Sequence, residues 1–453
     1  MSQIASVFLK ALKNRAKALP VAMLRAYIQS MLEKRNFLLE SAERFGTPQY
    51  LFDEPAMAHS LRRFHGVFSR RLERLRLFYA VKSNAFPDLC KHVSDAGHGL
   101  DVSSGLELAL ALSTGCRSIV FSGPGKTDDE LRFALSHRDR VTLLMDSMNE
   151  MDRISKLVKD QGMSQAAAKV GIRIRGRHHG MWNKFGIPLD ELGAFLQKAQ
   201  QAHGLQLQGL QFHTSWNRDP QAHVEMIRAL GANLRKMPSQ ARWGELRFLD
   251  IGGGYWPERG EWLNPQNTLL GKLLLLFHAD HVLKNRHFYL EAKTLDVFAA
   301  EISRAVSLQG KPLTDLEIWM EPGRWISTPA MHILLKVVDR KDGAMVITDG
   351  GINLLGWERP LTEFIPVINL SRPSLKEIPV RAFGSLCTPL DIWGTSCFGR
   401  EVLPGDILLI PDQGSYTYSM RQSFIKPIAR VVRYDGHSLD EVEPEQGFSR
   451  TRL

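Results

Sequence analysis

The chain has 453 residues, a formal net charge of +10 and 44% hydrophobic residues. That length exceeds what one hydrophobic core usually serves, so we expect two domains of ordinary globular composition. A basic balance is compatible with nucleic acid, a membrane surface or an anionic ligand. The lysines and arginines form no long runs and no stripes interleaved with aromatic residues, which argues against a nucleic-acid partner.

Cysteine usage and apolar segments indicate the compartment. The four cysteines form no CxxC pair, so we expect no metal site. The start MSQIASVFLKALKNRAKALP interrupts its apolar stretch with lysines too early for a secretory signal. The segment LLGKLLLLFHADHVL is too short to span a bilayer. We therefore expect a cytoplasmic protein with free thiols and no membrane partner.

Residues 1–45 predict a basic helical extension, because apolar residues recur at helical spacing and Pro20 interrupts them. Two interpretations are open. The extension packs against its own protein, or it is a docking arm for a pathway partner, a carrier protein or a membrane surface.

The rest of the chain predicts two architectures in succession. Over residues 46–335, short apolar strands alternate with amphipathic helices, which implies parallel strands with right-handed crossovers. About eight such units favour a (β/α)8 TIM barrel over an open sheet. Over residues 336–453, strands separated by turn residues predict an antiparallel β-barrel or sandwich. A strand at residues 47–53 fits either domain.

A lysine in an unusual place directs attention to the barrel. Lys82 follows the apolar run LFYAV, where an unpaired ammonium is costly to bury. His213, Glu321 and Arg324 also lie where predicted strands end, which is where active residues of such barrels gather. A lysine whose pKa is lowered by burial becomes an amine nucleophile. Taken singly, these residues have ordinary explanations, such as an extended surface lysine, a core histidine or a surface salt bridge.

The triple glycine of DIGGGY completes the constellation. Gly252, Gly253 and Gly254 leave backbone N–H groups open to a phosphate, although a plain turn explains a lone GGG equally well. A reactive lysine, a phosphate cradle and a buried carboxylate are together what pyridoxal phosphate requires.

These segments carry a resemblance to a known family. YAVKSN, GLDVSSGLEL, KFGI, FHTS, DIGGGY, EPGR, SLCTPLD and QGSYTYSM follow one another over roughly residues 47 to 430. The order and content of this set resemble the fold-type III pyridoxal-phosphate decarboxylases, among them the diaminopimelate, ornithine and arginine decarboxylases. Alanine racemase is a more distant relative of the same fold.

The resemblance implies pyridoxal 5'-phosphate as the cofactor and a role for each matching residue. Lys82 holds the cofactor covalently, and His213 stacks on its ring. Glu321 pairs with the pyridine nitrogen, and Asp101 lies near the lysine and the cofactor. The phosphate is surrounded by Gly252, Gly253, Gly254, Gly323, Arg324 and either Ser215 or Trp216.

The resemblance also implies a homodimer with shared active sites. Cys387, the expected proton donor to the substrate carbon, and Tyr416, which reaches the phosphate, come from the second subunit. Glu321 favours decarboxylation over racemisation, because a carboxylate keeps the ring nitrogen protonated and a protonated ring accepts electrons better. The alternatives are an amino-acid racemase and a non-catalytic binding protein of the antizyme-inhibitor kind, which is expected to lose the cofactor residues.

The substrate-binding positions depart from the family pattern. Thr388 replaces the acidic residue expected after Cys387, although Asp391 is kept. A hydroxyl cannot neutralise a distal ammonium as a carboxylate does. Arg359 is either a grip for a distal carboxylate or a solvated arginine. We therefore expect a diaminopimelate-decarboxylase-like enzyme with a non-standard small-molecule substrate, bearing a distal carboxylate or amide or tethered to a carrier, as in siderophore and natural-product pathways.

Overall fold

The computed structural model describes residues 16–162, 168–176, 183–237, 246–264, 287–356 and 363–446. The chain divides into two units. The barrel unit consists of Ser60–Trp256 and Lys293–Ile326, and the sheet unit of Met1–His59, Pro257–Ala292 and Ser327–Leu453. The divisions at residues 59/60 and 326/327 differ from those expected at 45/46 and 335/336, and the described residues 257–264 and 287–292 belong to the sheet unit rather than the barrel.

Eight parallel strands close into a ring in the barrel unit. The ring closes where Leu75–Ala80 pairs with Glu317–Met320, the first and last strands in the sequence. The predicted (β/α)8 barrel is therefore confirmed. In order around the ring the strands are Leu75–Ala80, Gly99–Val102, Ile119–Phe121, Val141–Met145, Ala168–Arg175, Leu205–Phe212, Phe248–Asp250 and Glu317–Met320.

Helices connect these strands, and polar caps mark where several of them begin. Thr127 and Glu130 form a reciprocal capping box, and the Ser147 hydroxyl accepts the amide N–H of Glu150. The helices of the barrel unit between these strands are Pro87–Asp95, Gly105–Ser113, Asp128–Ser136, Met148–Asp160, Leu192–Gln201, Gln221–Lys236 and Leu295–Ser307.

One layer of large side chains fills the middle of the barrel. Phe248 stacks on Trp319 with ring centroids 3.6 Å apart, and Phe78 lies 4.6 Å from the same tryptophan. Val120 and Leu144 complete this layer, which we call the aromatic layer. Because strand residues two apart share a face, polar residues two positions before or after these five also face the interior.

The sheet unit contains a nine-stranded, mostly antiparallel sheet, part of which closes into a ring through the pairings of Met331–Lys341 with Met345–Thr348 and Ile407–Ile410. The strand Gln49–Asp53 belongs to this sheet. Three pairings are parallel rather than antiparallel as predicted. The remaining strands are Ile368–Asn369, Glu377–Phe383, Ile392–Phe398, Arg430–Tyr434 and Leu439–Glu443.

The amino-terminal helices Val21–Glu33 and Arg35–Phe45 are part of the sheet unit. Ile28 and Leu38 are fully buried in one core cluster with sheet residues such as Leu334. This packing supports the first interpretation of the extension for residues 16–45; residues 1–15 lie outside the described part. Just before the helices, Lys17–Ala18 forms a small unpredicted sheet with Phe288–Leu290 and Glu261–Leu263.

Within the described ranges, no helix combines the length and apolar character that crossing a bilayer requires.

If the amino-terminal helices are an integral layer of the sheet unit, Ile28→Ala should lower the free energy of unfolding by about 2–4 kcal/mol, because it leaves a cavity in the shared core. Val21→Ala on the same helix, where the side chain is 62% exposed, is the matched control and should change it little. Urea unfolding of both variants measures the difference. Equal stabilities would show that the helices are a dispensable arm.

Candidate active site

The ammonium of Lys82 has a buried partner. Its Nζ donates to Oδ2 of Asp101 at 2.7 Å, and the Asp101 side chain has no exposed surface. The Ser122 hydroxyl donates to the other carboxylate oxygen of Asp101. Burial and the nearby charge of Glu321 raise the pKa of Asp101 to about 7, against the opposing effect of Lys82. The side chain of Lys82 remains one-third exposed, so its amine is accessible.

Two further carboxyl groups lie in the same interior. Glu321 and Asp250 stand two positions after Trp319 and Phe248, so strand alternation places them on the carboxyl-terminal side of the aromatic layer. Burial raises the pKa of Glu321, but His213 and the charge of Lys82 outweigh burial and hold it below its ordinary range. Burial and the charge of Glu321 raise the pKa of Asp250 well above its ordinary value.

His213 and Gln211 lie beside the Glu321 carboxylate, on and just after the strand Leu205–Phe212, which Phe248–Asp250 separates from Glu317–Met320 in the ring. Nδ1 of His213 lies 3.4 Å from Oε2 of Glu321, and the Gln211 amide donates to Oε1 at 3.3 Å. Burial lowers the pKa of His213, which favours the neutral ring. The carboxylate is therefore ionised, buried and fixed in direction, as a partner for a protonated ring nitrogen must be.

The glycine loop lies against His213. The amide N–H of Gly253 donates to His213 Nδ1 at 3.1 Å. Gly252 and Gly254 have φ angles of +69° and +86°, a region that only glycine adopts without strain. Gly323 lies close to Ser83, so that an added Cβ would be 2.9 Å from the serine Cβ. The backbone therefore approaches closely where the phosphate of a ligand is expected.

His223 supports the glycine loop from behind. Its Nε2 lies 3.2 Å from the carbonyl oxygen of Gly253, and its ring stacks on Tyr255 with centroids 4.9 Å apart. Burial lowers the pKa of His223 to about 3, so the ring is neutral at physiological pH. Neutral Nε2–H then donates to the loop carbonyl.

Ser215 and Trp216 lie on the turn that follows His213. The turn is joined to the glycine loop because the Asn217 amide donates to the Gly254 carbonyl at 2.8 Å. The Trp216 side chain is 65% exposed on a residue with φ of +54°, whereas the Cα of Ser215 packs against Gly254. These contacts favour Ser215 as the phosphate-facing residue. Arg324 lies with its guanidinium 4.5 Å from the ring centroid of Trp256.

Cys387, Thr388, Asp391 and Tyr416 belong to the sheet unit. Cys387 is exposed on a loop that Asp391 organises: the Asp391 carboxylate accepts the amide N–H of Leu386 at 2.6 Å and of Ile352 at 2.7 Å. Asp391 is 1% exposed, so these contacts position the loop, and its expected substrate-binding role stays a prediction.

Two other expected residues need separate mention. Tyr416 has φ of +55°, a conformation that non-glycine residues seldom adopt. Arg359, the expected grip for a distal carboxylate, lies outside the described residues.

Comparison with known proteins adds the decisive observation. Residues 58–328, more than half of the chain, match the family described as "Pyridoxal-dependent decarboxylase, pyridoxal binding domain". The chain belongs to this family. It is a pyridoxal-phosphate-dependent amino-acid decarboxylase, as the resemblance implied.

Relatives of this decarboxylase align over most of the chain. Diaminopimelate decarboxylase of Methanothermobacter thermautotrophicus is 25% identical over 435 residues, covering 91% of this chain and 92% of the relative. The 2-[(L-alanin-3-ylcarbamoyl)methyl]-2-hydroxybutanedioate decarboxylase of Staphylococcus aureus is 24% identical over 392 residues, covering 82% and 89%. The crystal structure of diaminopimelate decarboxylase from M. jannaschii has the same fold, with a TM-score of 0.75 at 23% identity over 90% and 92% of the chains.

Pyridoxal phosphate fits the residues of the decarboxylase barrel. Lys82 would hold it, Glu321 would face its ring nitrogen, and the left-handed glycines with Gly323 form a cradle that side chains would fill. The cofactor supplies a sink for electrons of the substrate α-carbon. The family and its relatives favour decarboxylation over the racemase and binding-protein alternatives.

Sequence reasoning missed three contributors to this site: Arg173, Gln211 and Asp250. Arg173 lies within an apolar strand, the same signal that marks Lys82, and it donates to the Ser122 carbonyl at 2.7 Å. Gln211 stands two positions before His213, so the same strand face carries both. Asp250 gave no comparable signal, because an aspartate next to glycines is common in turns.

The buried His223 should make stability fall with acidification. Its folded pKa of about 3 lies below the ordinary 6.5, so the unfolded chain binds the proton preferentially as pH falls between these values. The stabilisation is complete above pH 6.5 and is lost progressively below it. Between pH 7 and 5 the protein should lose about 2 kcal/mol more than His223→Gln, which cannot titrate, as measured by urea unfolding. Parallel pH profiles would contradict the assignment.

Asp391 should control the order of the Cys387 loop. The asparagine of Asp391→Asn has one acceptor oxygen for two backbone N–H groups, so one of them faces an NH2 group instead. We expect this to lower the free energy of unfolding by about 1–3 kcal/mol. Peptide-level hydrogen exchange should become faster at Leu386 and Ile352. Leu390→Ala, which removes a 49% exposed side chain from the same loop, should leave exchange unchanged. Unaltered protection in Asp391→Asn would refute the positioning role.

Proposed function

We propose that the enzyme decarboxylates an α-amino acid whose distal end carries an amide or carboxylate instead of a free ammonium. The observation that carries this proposal is the chemistry of the loop around Cys387. Thr388 offers a hydroxyl, and that hydroxyl already accepts the Leu390 amide at 3.4 Å. The Asp391 carboxylate is committed to two backbone amides. Among the described residues of this loop, no carboxylate is available for a distal ammonium.

A neighbouring carboxylate is committed as well. Oδ2 of Asp349 accepts the hydroxyl of Thr47 at 2.5 Å, and Oδ1 accepts the amide of Lys336 at 2.9 Å. An ammonium taken from water needs such a charged partner, because its desolvation is costly. An amide or carboxylate terminus has no such requirement.

One of these relatives supports the same substrate class. The name of the Staphylococcus aureus relative describes an amino acid joined through an amide to a hydroxybutanedioate. We infer that the substrate here has similar chemistry: an α-amino acid end that loses CO2 and a distal end without a free ammonium.

We assign the chemical roles as follows. When pyridoxal phosphate is bound, the ionised and buried Glu321 would keep a proton on the ring nitrogen, which makes the ring a better acceptor for electrons of the substrate α-carbon. His213 covers the ring. Cys387 returns a proton to the α-carbon after CO2 leaves. We further propose a homodimer in which Cys387 and Tyr416 are contributed to the barrel site of the second subunit.

The substrate proposal is tested by measuring CO2 release from diaminopimelate, lysine, ornithine and arginine and from N3-succinyl-2,3-diaminopropionate, which carries an amide and a distal carboxylate. We expect the last compound to be the best substrate, with Lys82→Ala inactive on every compound. Rapid turnover of diaminopimelate, lysine, ornithine or arginine would overturn the proposal.

Thr388→Asp should restore a partner for a distal ammonium. A charged hydrogen bond is worth about tenfold or more, so kcat/KM for lysine should rise by that factor and fall for the succinyl compound. Thr388→Asn has the same shape without the charge and is the control. If the aspartate and asparagine variants behave alike, position 388 does not set specificity.

A further inference from the structure

A cavity opens at the amino-terminal mouth of the barrel, at the end away from Lys82. Its volume is about 820 Å³, within the range of sites for small molecules. Its lining comes wholly from the barrel unit. Five cationic side chains line it: Arg76, Arg117, Arg140, Lys169 and Arg247. None of them has a role in the catalytic site.

Strand alternation explains part of this lining. Arg76, Ser118 and Glu317 stand two positions before Phe78, Val120 and Trp319, members of the aromatic layer. They therefore face the same interior on the amino-terminal side of that layer. Lys169 likewise stands two positions before Gly171. An added Cβ at Gly171 would lie 2.7 Å from Leu144, a member of the aromatic layer. The aromatic layer thus separates this polar layer from the carboxylates of the catalytic site.

The cations of this cavity are incompletely neutralised. They exceed the acidic lining residues, Asp95, Asp139 and Glu317, by two. The guanidinium of Arg76 is 3.8 Å from Glu317, whose carboxylate oxygen also accepts the Trp319 indole N–H at 2.9 Å.

The remaining cations are even less well paired. Arg140 is 4.0 Å from the Asp139 carboxylate, and Lys169 donates to the Asp139 main-chain carbonyl at 2.6 Å. Within the described ranges, the side chains of Arg117 and Arg247 make no hydrogen bond or ion pair.

Helix dipoles explain only some of these cations. Arg117 and Arg140 follow the carboxyl ends of the helices Gly105–Ser113 and Asp128–Ser136, where a positive charge is favourable. Arg76 and Lys169 are strand residues, and Arg247 immediately precedes a strand. No helix end accounts for the positive charge of these three residues. Their position around one cavity therefore indicates an anionic ligand.

We propose that this cavity binds a small polyanion with two or more carboxylate or phosphate groups. Planar guanidinium groups donate pairs of hydrogen bonds to such oxygens, and the half-buried Ser118 hydroxyl and the buried Thr142 add neutral donors. The site is independent of the proposed amino-acid substrate.

Isothermal titration of the holoenzyme with pyrophosphate and with citrate tests the site, with sodium sulfate as the simple-anion arm. The cofactor fills the catalytic phosphate cradle of the holoenzyme, so that cradle does not contribute. We expect binding of pyrophosphate, citrate or both, and weaker binding of sulfate. Pyrophosphate alone would indicate a phosphate ligand, and citrate alone a carboxylate ligand.

Substitutions locate the binding. Arg117→Glu and Arg247→Glu should each weaken it by about tenfold or more, and Arg117→Gln by less. Arg138→Glu makes the same charge change at an exposed arginine outside the lining and should have little effect. Decarboxylation rates should be unchanged in all four variants, which also shows that they fold. Absence of binding to the wild type, or binding by the Arg117→Glu and Arg247→Glu variants as tight as that of the wild type, would overturn the proposal.

Discussion

The site depends on a lysine ammonium held against a carboxylate that has no contact with solvent. In a medium of low dielectric, removing either partner leaves an uncompensated charge, so Lys82 and Asp101 require one another. Two more carboxyl groups need compensation for their burial, because Glu321 and Asp250 lie in the same barrel interior. The environment gives the carboxyl groups different pKa values: that of Glu321 lies below its ordinary range, burial and the charge of Glu321 raise that of Asp250 well above its ordinary value, and that of Asp101 is about 7. A carboxyl group with a pKa of about 7 can take or release a proton beside the amine of Lys82 at little cost.

The aromatic layer organises the barrel interior into two polar compartments. Phe248 and Trp319 lie between the carboxylates and the basic mouth, and the two-residue repeat of the strands assigns polar neighbours to one side or the other. Glycines at Gly171 and Gly209 leave space for the Phe248 ring. The same packing that stabilises the barrel therefore also insulates the charges of the cofactor site from those at the other end.

Much of this architecture follows from local sequence. Parallel strands that are buried on both faces appear as continuous apolar runs, and their alternation with amphipathic helices predicted the barrel. Lys82, His213 and Glu321 were recognisable because each ends such a run. Arg173 and Gln211 lie inside the strands Ala168–Arg175 and Leu205–Phe212, so a criterion based on strand ends does not find them.

Other features have no local signal. The strand Lys17–Ala18 is only two residues long and exists through pairing with Phe288–Leu290, far away in the sequence. The assignment of the described residues 257–264 and 287–292 to the sheet unit likewise rests on long-range contacts. The commitment of the Asp391 carboxylate to two amides depends on loop geometry, which residue identity alone does not specify.

The discontinuous sheet unit has a consequence for biosynthesis. Its amino-terminal helices emerge first, yet their apolar faces are covered by strands encoded near the opposite terminus, such as Ile407–Ile410 and Arg430–Tyr434. Until those strands have been synthesised, those faces have no native partner, and high sequence separation slows their burial. A ribosome that stalls or stops before these strands are made would therefore release a chain whose helices expose their apolar faces. Chaperones and proteases recognise such chains.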